Sequence, residues 1–222
     1  MPDLRPEYIT FDCYGTLTRF QIAEMVREMF AGRIAADAMD QFIRDYTAYR
    51  RDEVLGPWKP YADVIKNALE RTCRKHGVAY VDEEGQRIYE AVPTWGPHPD
   101  VPEPLTRIGQ RIKLVILSNA MNSQIHRNVE KLQAPFHAVF TAEQAQSYKP
   151  RMQGFEYMLG QLGARPEQCM HVSSSLRYDH MTAHDLGFAH RVLVNRGHEP
   201  SIPDYVTHEV RGIDGLAALL GI

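Results

Sequence analysis

The chain has 222 residues, and 25 Lys and Arg against 28 Asp and Glu give it a formal net charge of −3. That length exceeds one small module and falls short of two ordinary domains, so one domain carrying an insertion is expected. With 44% hydrophobic and 24% charged residues, the composition excludes disorder as the main state and leaves no basic footprint for nucleic acid.

The apolar runs, such as Leu114-Val115-Ile116-Leu117, are far below the ~20 residues of a membrane span. The N-terminus Met1-Pro2-Asp3-Leu4-Arg5-Pro6 has no apolar signal core, so export is not expected. Cys13, Cys73 and Cys169 are an odd count without a C-x-x-C, which points to buried thiols in a reducing compartment. The expected location is cytoplasmic, with neither nucleic acid nor membrane as partner.

Five short β-rich segments follow in chain order: Tyr8 to Phe11, Lys113 to Leu117, Ala138 to Thr141, Met170 to Val172 and Arg191 to Val194. The first stops at Asp12-Cys13-Tyr14-Gly15-Thr16, the second at Ser118-Asn119 and the fourth at Ser173-Ser174-Ser175. Helical periodicity separates them, over Ser123 to Leu132 and Met152 to Leu162. Alternating strand and helix predicts a parallel sheet covered on both faces. Ligands of such sheets bind beyond the carboxyl ends of the strands, so the polar residues just named should converge on one crevice.

Residues 20–95 have helical periodicity and little strand signal. Ala35 to Arg51 carries Met39, Phe42, Ile43 and Tyr46; Tyr61 to His76 carries Val64, Ile65, Ala68, Leu69 and Cys73. This is too large for a plain crossover and predicts an α-helical insertion. Thr94-Trp95-Gly96-Pro97-His98-Pro99, rich in breakers, marks the return. The expected division is a core of 1–19 plus 96–222 and a cap of 20–95.

Asp12 is the leading candidate for chemistry. A carboxylate at the end of a buried strand needs a partner, and a partnered one can act as a nucleophile. Ser118-Asn119, Lys149-Pro150 and Asp179 follow in order. Together with Phe11-Asp12-Cys13-Tyr14-Gly15-Thr16-Leu17, Tyr148-Lys149-Pro150 and Val172-Ser173-Ser174, they resemble the motifs of the haloacid dehalogenase superfamily. The resemblance covers nearly the whole chain and implies an α/β Rossmann-like core with an inserted helical cap.

Most of that superfamily are phosphatases resembling D-x-D-G-T, whose second Asp protonates a leaving alkoxide, with a G-D-x-x-x-D motif whose acids hold Mg²⁺. Here Tyr14 takes the place of the second Asp, and Ser173-Ser174 that of G-D. A phenol with a reference pKa near ~10 is no acid at neutral pH, and Mg²⁺ is poorly served by so few carboxylates. Both features are similar to the L-2-haloacid dehalogenase branch, as is the segment Trp58 to Cys73. A halide leaves without a proton, which removes the need for an acid at position 14.

The resemblance implies a metal-free and cofactor-free displacement on a small 2-halo acid, releasing halide. Asp12 attacks C2 and the resulting aspartyl ester is hydrolysed, giving a D-2-hydroxy acid. Lys149 pairs with Asp12 and keeps it ionised, Asp179 positions Lys149 and the water, and Thr16 hydrogen-bonds Asp12. Tyr14, Ser118, Asn119, Ser173 and Ser175 are assigned to substrate, with Asn119 also a candidate for the halide. Arg50, or its neighbour Arg51, supplies the halide's cation, and Trp58, Tyr61 and Phe20 an apolar wall. Two positions depart from the branch: Phe155 replaces its Tyr and Ser175 its Asn. A strained ring nitrogen at C2, as in azetidine-2-carboxylate, is an alternative leaving group, and a Mg²⁺-dependent phosphatase a less favoured alternative. His180 and His184 have the i, i+4 spacing of a zinc pair, but ordinary capping or exposed histidines are expected. A homodimer is implied only by the resemblance.

Overall fold

Tyr8–Phe11 (β1) is buried at all four residues and lies in the middle of the sheet. A strand covered on both faces has no polar side to show, which is why it reads as a continuous apolar run. The computed structural model describes residues 4–222, so Met1-Pro2-Asp3, read above for an export signal, lie outside it.

After β1 come helices Ile22–Phe30 (α1), Met39–Leu55 (α2), Tyr61–Lys75 (α3), Asp82–Ala91 (α4) and Pro102–Gly109 (α5). Lys113–Ser118 (β2), Asn122–Leu132 (α6), Phe136–Thr141 (β3), Ala142–Ala145 (α7) and Met152–Leu162 (α8) follow. The chain ends through Cys169–Ser173 (β4), Met181–Asp185 (α9), His190–Val194 (β5), His208–Val210 (β6) and Ile213–Leu219 (α10). None of these helices is long and apolar enough to cross a membrane.

The chain divides into two compact units. One runs to Arg19 and resumes over Gly96–Ile222; the other is Phe20–Trp95. In the first, six parallel strands lie in the order β3-β2-β1-β4-β5-β6. The order reverses at β1, and a reversal opens the crevice of an α/β sheet at the strands' carboxyl ends. Ile9, Phe11, Ile116, Met170 and Val172 anchor the core on one face of this sheet, with Leu105, Ile125 and Leu216 from α5, α6 and α10 packed against them. On the other face Val115 and Leu117 meet Phe155 and Met158 of α8. Each fully buried side chain of this kind contributes about 1.5–3 kcal/mol.

The second unit is helical. Phe42 and Tyr46 of α2 and Val64, Ile65, Ala68 and Leu69 of α3 are buried. Gly85 of α4 lies so close to α3 that a Cβ would come within 2.7 Å of Lys66 Cγ. Its buried carboxylates are satisfied locally. Asp45 meets Lys75 at 2.7 Å and His76 at 2.8 Å, and Glu53 meets Lys59 at 2.5 Å and Arg71 at 2.6 Å.

One expectation needs adjusting. Helix α2 begins at Met39 rather than Ala35, since residues 36–38 form a turn. The three cysteines are free and buried, as expected.

Candidate active site

Asp12 follows β1 and stays in the ladder, its N–H donating to the Val172 carbonyl at 3.1 Å. The chain then turns sharply. Leu17 and Thr18 N–H both donate to the Cys13 carbonyl, and Gly15 N–H donates to that of Thr18. Gly15 has φ +93°, a conformation that penalises any side chain, so the Gly of the motif is required by the turn. The turn brings Thr16 back over the carboxylate, where its hydroxyl donates to Asp12 Oδ2 at 2.7 Å. Thr16 in turn accepts from Ser174 N–H at 2.8 Å. Arg196 braces the turn from behind, donating to the Thr16 carbonyl at 3.0 Å and, bidentately, to Asp100 at 2.7 and 2.9 Å.

Lys149 reaches Asp12 from the loop between α7 and α8. Thr141 and Gln144 form a capping box at the start of α7, which turns the chain back after β3 toward the crevice. The Lys149 ammonium is buried and donates to Asp12 Oδ1 at 2.8 Å and to Asp179 Oδ1 at 2.7 Å. Asp179 lies in a short π-helical segment, Leu176–His180, with its side chain fully enclosed. It also accepts from Ser173 Oγ at 2.9 Å and from His171 Nε2 at 3.0 Å.

Two carboxylates thus share one ammonium, and their surroundings push them apart. Burial raises Asp179, but the Lys149 charge and the His171 bond overcome it and hold it well below the usual carboxylate range. For Asp12, burial is the larger effect. With the nearby Asp179 charge it outweighs Lys149 and Thr16 and lifts Asp12 above its usual value. Lys149 does pair with Asp12, but burial outweighs that pairing and leaves Asp12 raised rather than lowered. Lys149 itself is raised: burial opposes its charge, and the two aspartates more than compensate. Of the three groups only the Asp12 side chain, 11% exposed, reaches outside the cluster. A more basic carboxylate with an open face is the one suited to attack.

The remaining candidates have distinct places. Ser118, at the end of β2, has a buried hydroxyl with no hydrogen-bond partner among the described residues, a donor available to an oxyanion. The Tyr14 hydroxyl donates to Asn128 Oδ1 at 2.9 Å. Asn119 is bonded through its side chain to the Lys149 backbone. Ser173 serves Asp179, and its oxygen accepts from Ser175 N–H at 2.9 Å. The Ser175 hydroxyl accepts from Tyr178 N–H and lies 3.3 Å from Glu199, so Ser175 caps this segment. Arg50 belongs to the second unit, with its guanidinium carbon 5.2 Å from the ring centres of Phe20 and Tyr46. Tyr61 is buried and Trp58 half-buried in that unit.

His180 is buried rather than exposed, donating from Nε2 to the Ser173 carbonyl at 3.0 Å, while His184 lies half-exposed against Asp185. Among the described residues no group of three or more His, Cys, Asp or Glu side chains is arranged to hold a metal ion. The donor set does not suit Mg²⁺, which demands near-octahedral oxygen ligands. Asp179 is enclosed and already accepts three hydrogen bonds, and Ser173 and Ser174 stand where further acids would be needed.

Thr10, His171, Asn128 and Arg196 were not anticipated from sequence. Thr10 and His171 are polar residues inside otherwise apolar strands, a signal that was available because a buried polar group demands a partner.

A family profile described as haloacid dehalogenase-like hydrolase matches residues 6–187. An (S)-2-haloacid dehalogenase of Pseudomonas putida is 26% identical over 188 residues, 81% of either chain. Among solved structures, a dehalogenase with an intermediate complex has a TM-score of 0.82 at 20% identity, covering 98% of both chains. A magnesium-bound HAD-hydrolase of Bacillus subtilis has the same TM-score at 18% identity, covering 98% of this chain and 100% of that one. Likeness of fold at such identities does not separate a dehalogenase from a magnesium-bound relative. The profile spans most of the chain and includes Asp12, Lys149 and Asp179, and on that match this chain belongs to the haloacid dehalogenase-like hydrolases.

Proposed function

We propose that this hydrolase removes halide from short L-2-haloalkanoic acids without a metal, giving D-2-hydroxy acids through an ester on Asp12. The observation that carries this reading is the lysine-bridged pair of aspartates in which only Asp12 has an open face. In the first step an Asp12 oxygen bonds to C2 as the carbon–halogen bond breaks, and the electron pair departs with the halide. Displacement from the face opposite the halogen inverts C2. In the second step water adds to the Asp12 carboxyl carbon, the acyl–oxygen bond breaks, and the carboxylate is restored with release of one proton. Lys149, 2.8 Å from Asp12 Oδ1, is placed to stabilise the oxyanion of that addition. Asp179, fully enclosed and bonded to Lys149, His171 and Ser173, has the part of holding Lys149.

Three further observations support the halide. The Tyr14 hydroxyl is committed to Asn128, and a departing halide needs no acid. The unpartnered Ser118 hydroxyl suits the substrate carboxylate. The Pseudomonas relative carries the same activity in its name. The test is halide release from the separate enantiomers of 2-chloropropionate with EDTA present. Chloride and D-lactate from the L form alone are expected. Inactivity on both enantiomers, with hydrolysis of phosphate esters on adding Mg²⁺, would overturn the reading. Ring opening of azetidine-2-carboxylate in place of halide release would keep the Asp12 displacement and change the leaving group.

A further inference from the structure

His171 is a fully buried polar side chain that no step above uses. It sits in β4 directly across from Thr10 of β1, the two being register partners. Its Nδ1 is 2.8 Å from Thr10 Oγ1 and its Nε2 3.0 Å from Asp179 Oδ1. The rings of Phe155, Phe188 and His180 pack around it, with centres 5.2, 5.9 and 6.2 Å away.

We infer that His171 is a positioning residue for the reaction proposed above, acting through Asp179 on Lys149. A carboxylate only accepts, so the proton of this bond is on Nε2 and His171 is the donor. Successive side chains of a strand alternate, so His171 and Ser173 project from one face of β4. They donate to opposite oxygens of Asp179, which blocks rotation of the carboxylate about its own axis. The ammonium of Lys149 takes its place against Asp12 from that fixed oxygen. Packing alone does not account for an imidazole here. Phenylalanine rings line the pocket, and a third would fill it without the desolvation that an imidazole costs. The hydrogen-bonding edge of His171 is what the apolar ring lacks.

The test compares wild type with His171→Phe, His171→Gln and the near-isosteric Thr10→Val. One readout needs no substrate: the ¹⁵N signal of the Lys149 ammonium in the resting protein. It is expected to be sharp and exchange-protected in wild type and His171→Gln, and broadened or lost in His171→Phe. The second readout is chloride release from L-2-chloropropionate. His171→Phe is expected to lower kcat about 10–100-fold, the scale of a displaced catalytic group, with KM within about three-fold and a thermal midpoint no lower than wild type. His171→Gln, which keeps a donor near the Nε2 position, should recover most of that loss. An unchanged ammonium signal in His171→Phe would overturn the inference, as would a Gln variant no better than Phe. If wild type releases no chloride, the substrate assignment fails while the ammonium signal still decides the positioning role. Should His171→Phe not fold, Thr10→Val carries the same two readouts, and wild-type behaviour in both overturns the inference.

Discussion

Asn119 and Lys149 hold each other by a reciprocal pair of hydrogen bonds. The Asn119 side-chain amide donates to the Lys149 carbonyl at 3.0 Å, and Lys149 N–H donates to Asn119 Oδ1 at 2.7 Å. The residue after β2 therefore fixes the backbone from which the lysine reaches Asp12. Asn119→Ala leaves a backbone donor and acceptor unpaired, at a cost of about 1–3 kcal/mol, and frees Lys149 to move. Turnover is expected to fall about ten-fold or more. Asn119→Asp should do at least as badly, because it keeps the acceptor but sets an anion against the carbonyl. Urea denaturation and halide release on the two variants check this.

The raised Asp12 carboxyl sets the acid limb of activity. The displacement needs the anion, so kcat/KM should fall as pH drops through the Asp12 value. Because burial raises Asp12 above the ordinary 3.8, the midpoint is expected above that value. Thr16→Val removes a hydrogen bond to the charged form and should move the limb further up. A limb centred at or below 3.8 would contradict the burial argument. Asp12→Asn should abolish turnover by at least a thousand-fold, on the scale of other nucleophile losses (about 10⁶-fold at most). Its thermal midpoint should stay within about 4 °C of wild type, since Lys149 keeps Asp179.

Lys149→Met tests the same cluster through stability. Two buried carboxylates then face each other with no cation between them, and losing one partner of a buried pair costs about 3–5 kcal/mol. In that variant the folded carboxyl values rise above their unfolded ones. The penalty is therefore present while both are ionised and disappears as pH falls and one takes a proton. Denaturation at neutral pH and at about pH 5 should show the gap to wild type narrowing on acidification. Adding Asp179→Asn to Lys149→Met should recover part of the loss at neutral pH.

Much of this site was legible in the sequence because each group sits just beyond a strand, in chain order. Asp12 closes β1, Ser118 ends β2, and Ser173 ends β4. The Gly15 turn was legible because only glycine is at ease at its φ of +93°. The role of His171 was not, since a polar residue within Cys169–Ser173 signals only that it needs a partner, and that partner, Thr10, lies 161 residues away. Strand β6, only His208–Val210 and at most half-buried, is too short and polar to give a periodic signal. Arg196 and Asp100 become partners only when the sheet brings residues 96 apart together. The sequence does not show that the hydroxyl of Ser175, which the resemblance assigns to substrate, also accepts the N–H of Tyr178, a local bond that spacing does not rank.

His180 should make the fold sensitive to mild acid. Its Nε2–H donates to the Ser173 carbonyl, and its Nδ1 is buried with no partner among the described residues. Protonating Nδ1 would add a donor where nothing accepts it. Burial, together with the neighbouring His171, accordingly pushes His180 down to about 4 from 6.5. The unfolded chain takes up this proton near 6.5 and the folded one only near 4, so stability is full above pH 6.5. It falls as pH drops toward 4 and levels off below that. A shift of this size corresponds to roughly 3 kcal/mol at most. His98, half-buried beside Arg196 and also pushed down to about 4, adds in the same window, with a smaller effect because solvent screens it. His180→Gln retains a group able to donate to Ser173 and cannot titrate, so its stability should vary less than wild type between pH 6.5 and 4. Chemical denaturation of both proteins across that interval gives the two slopes, and equal slopes would remove His180 as the source.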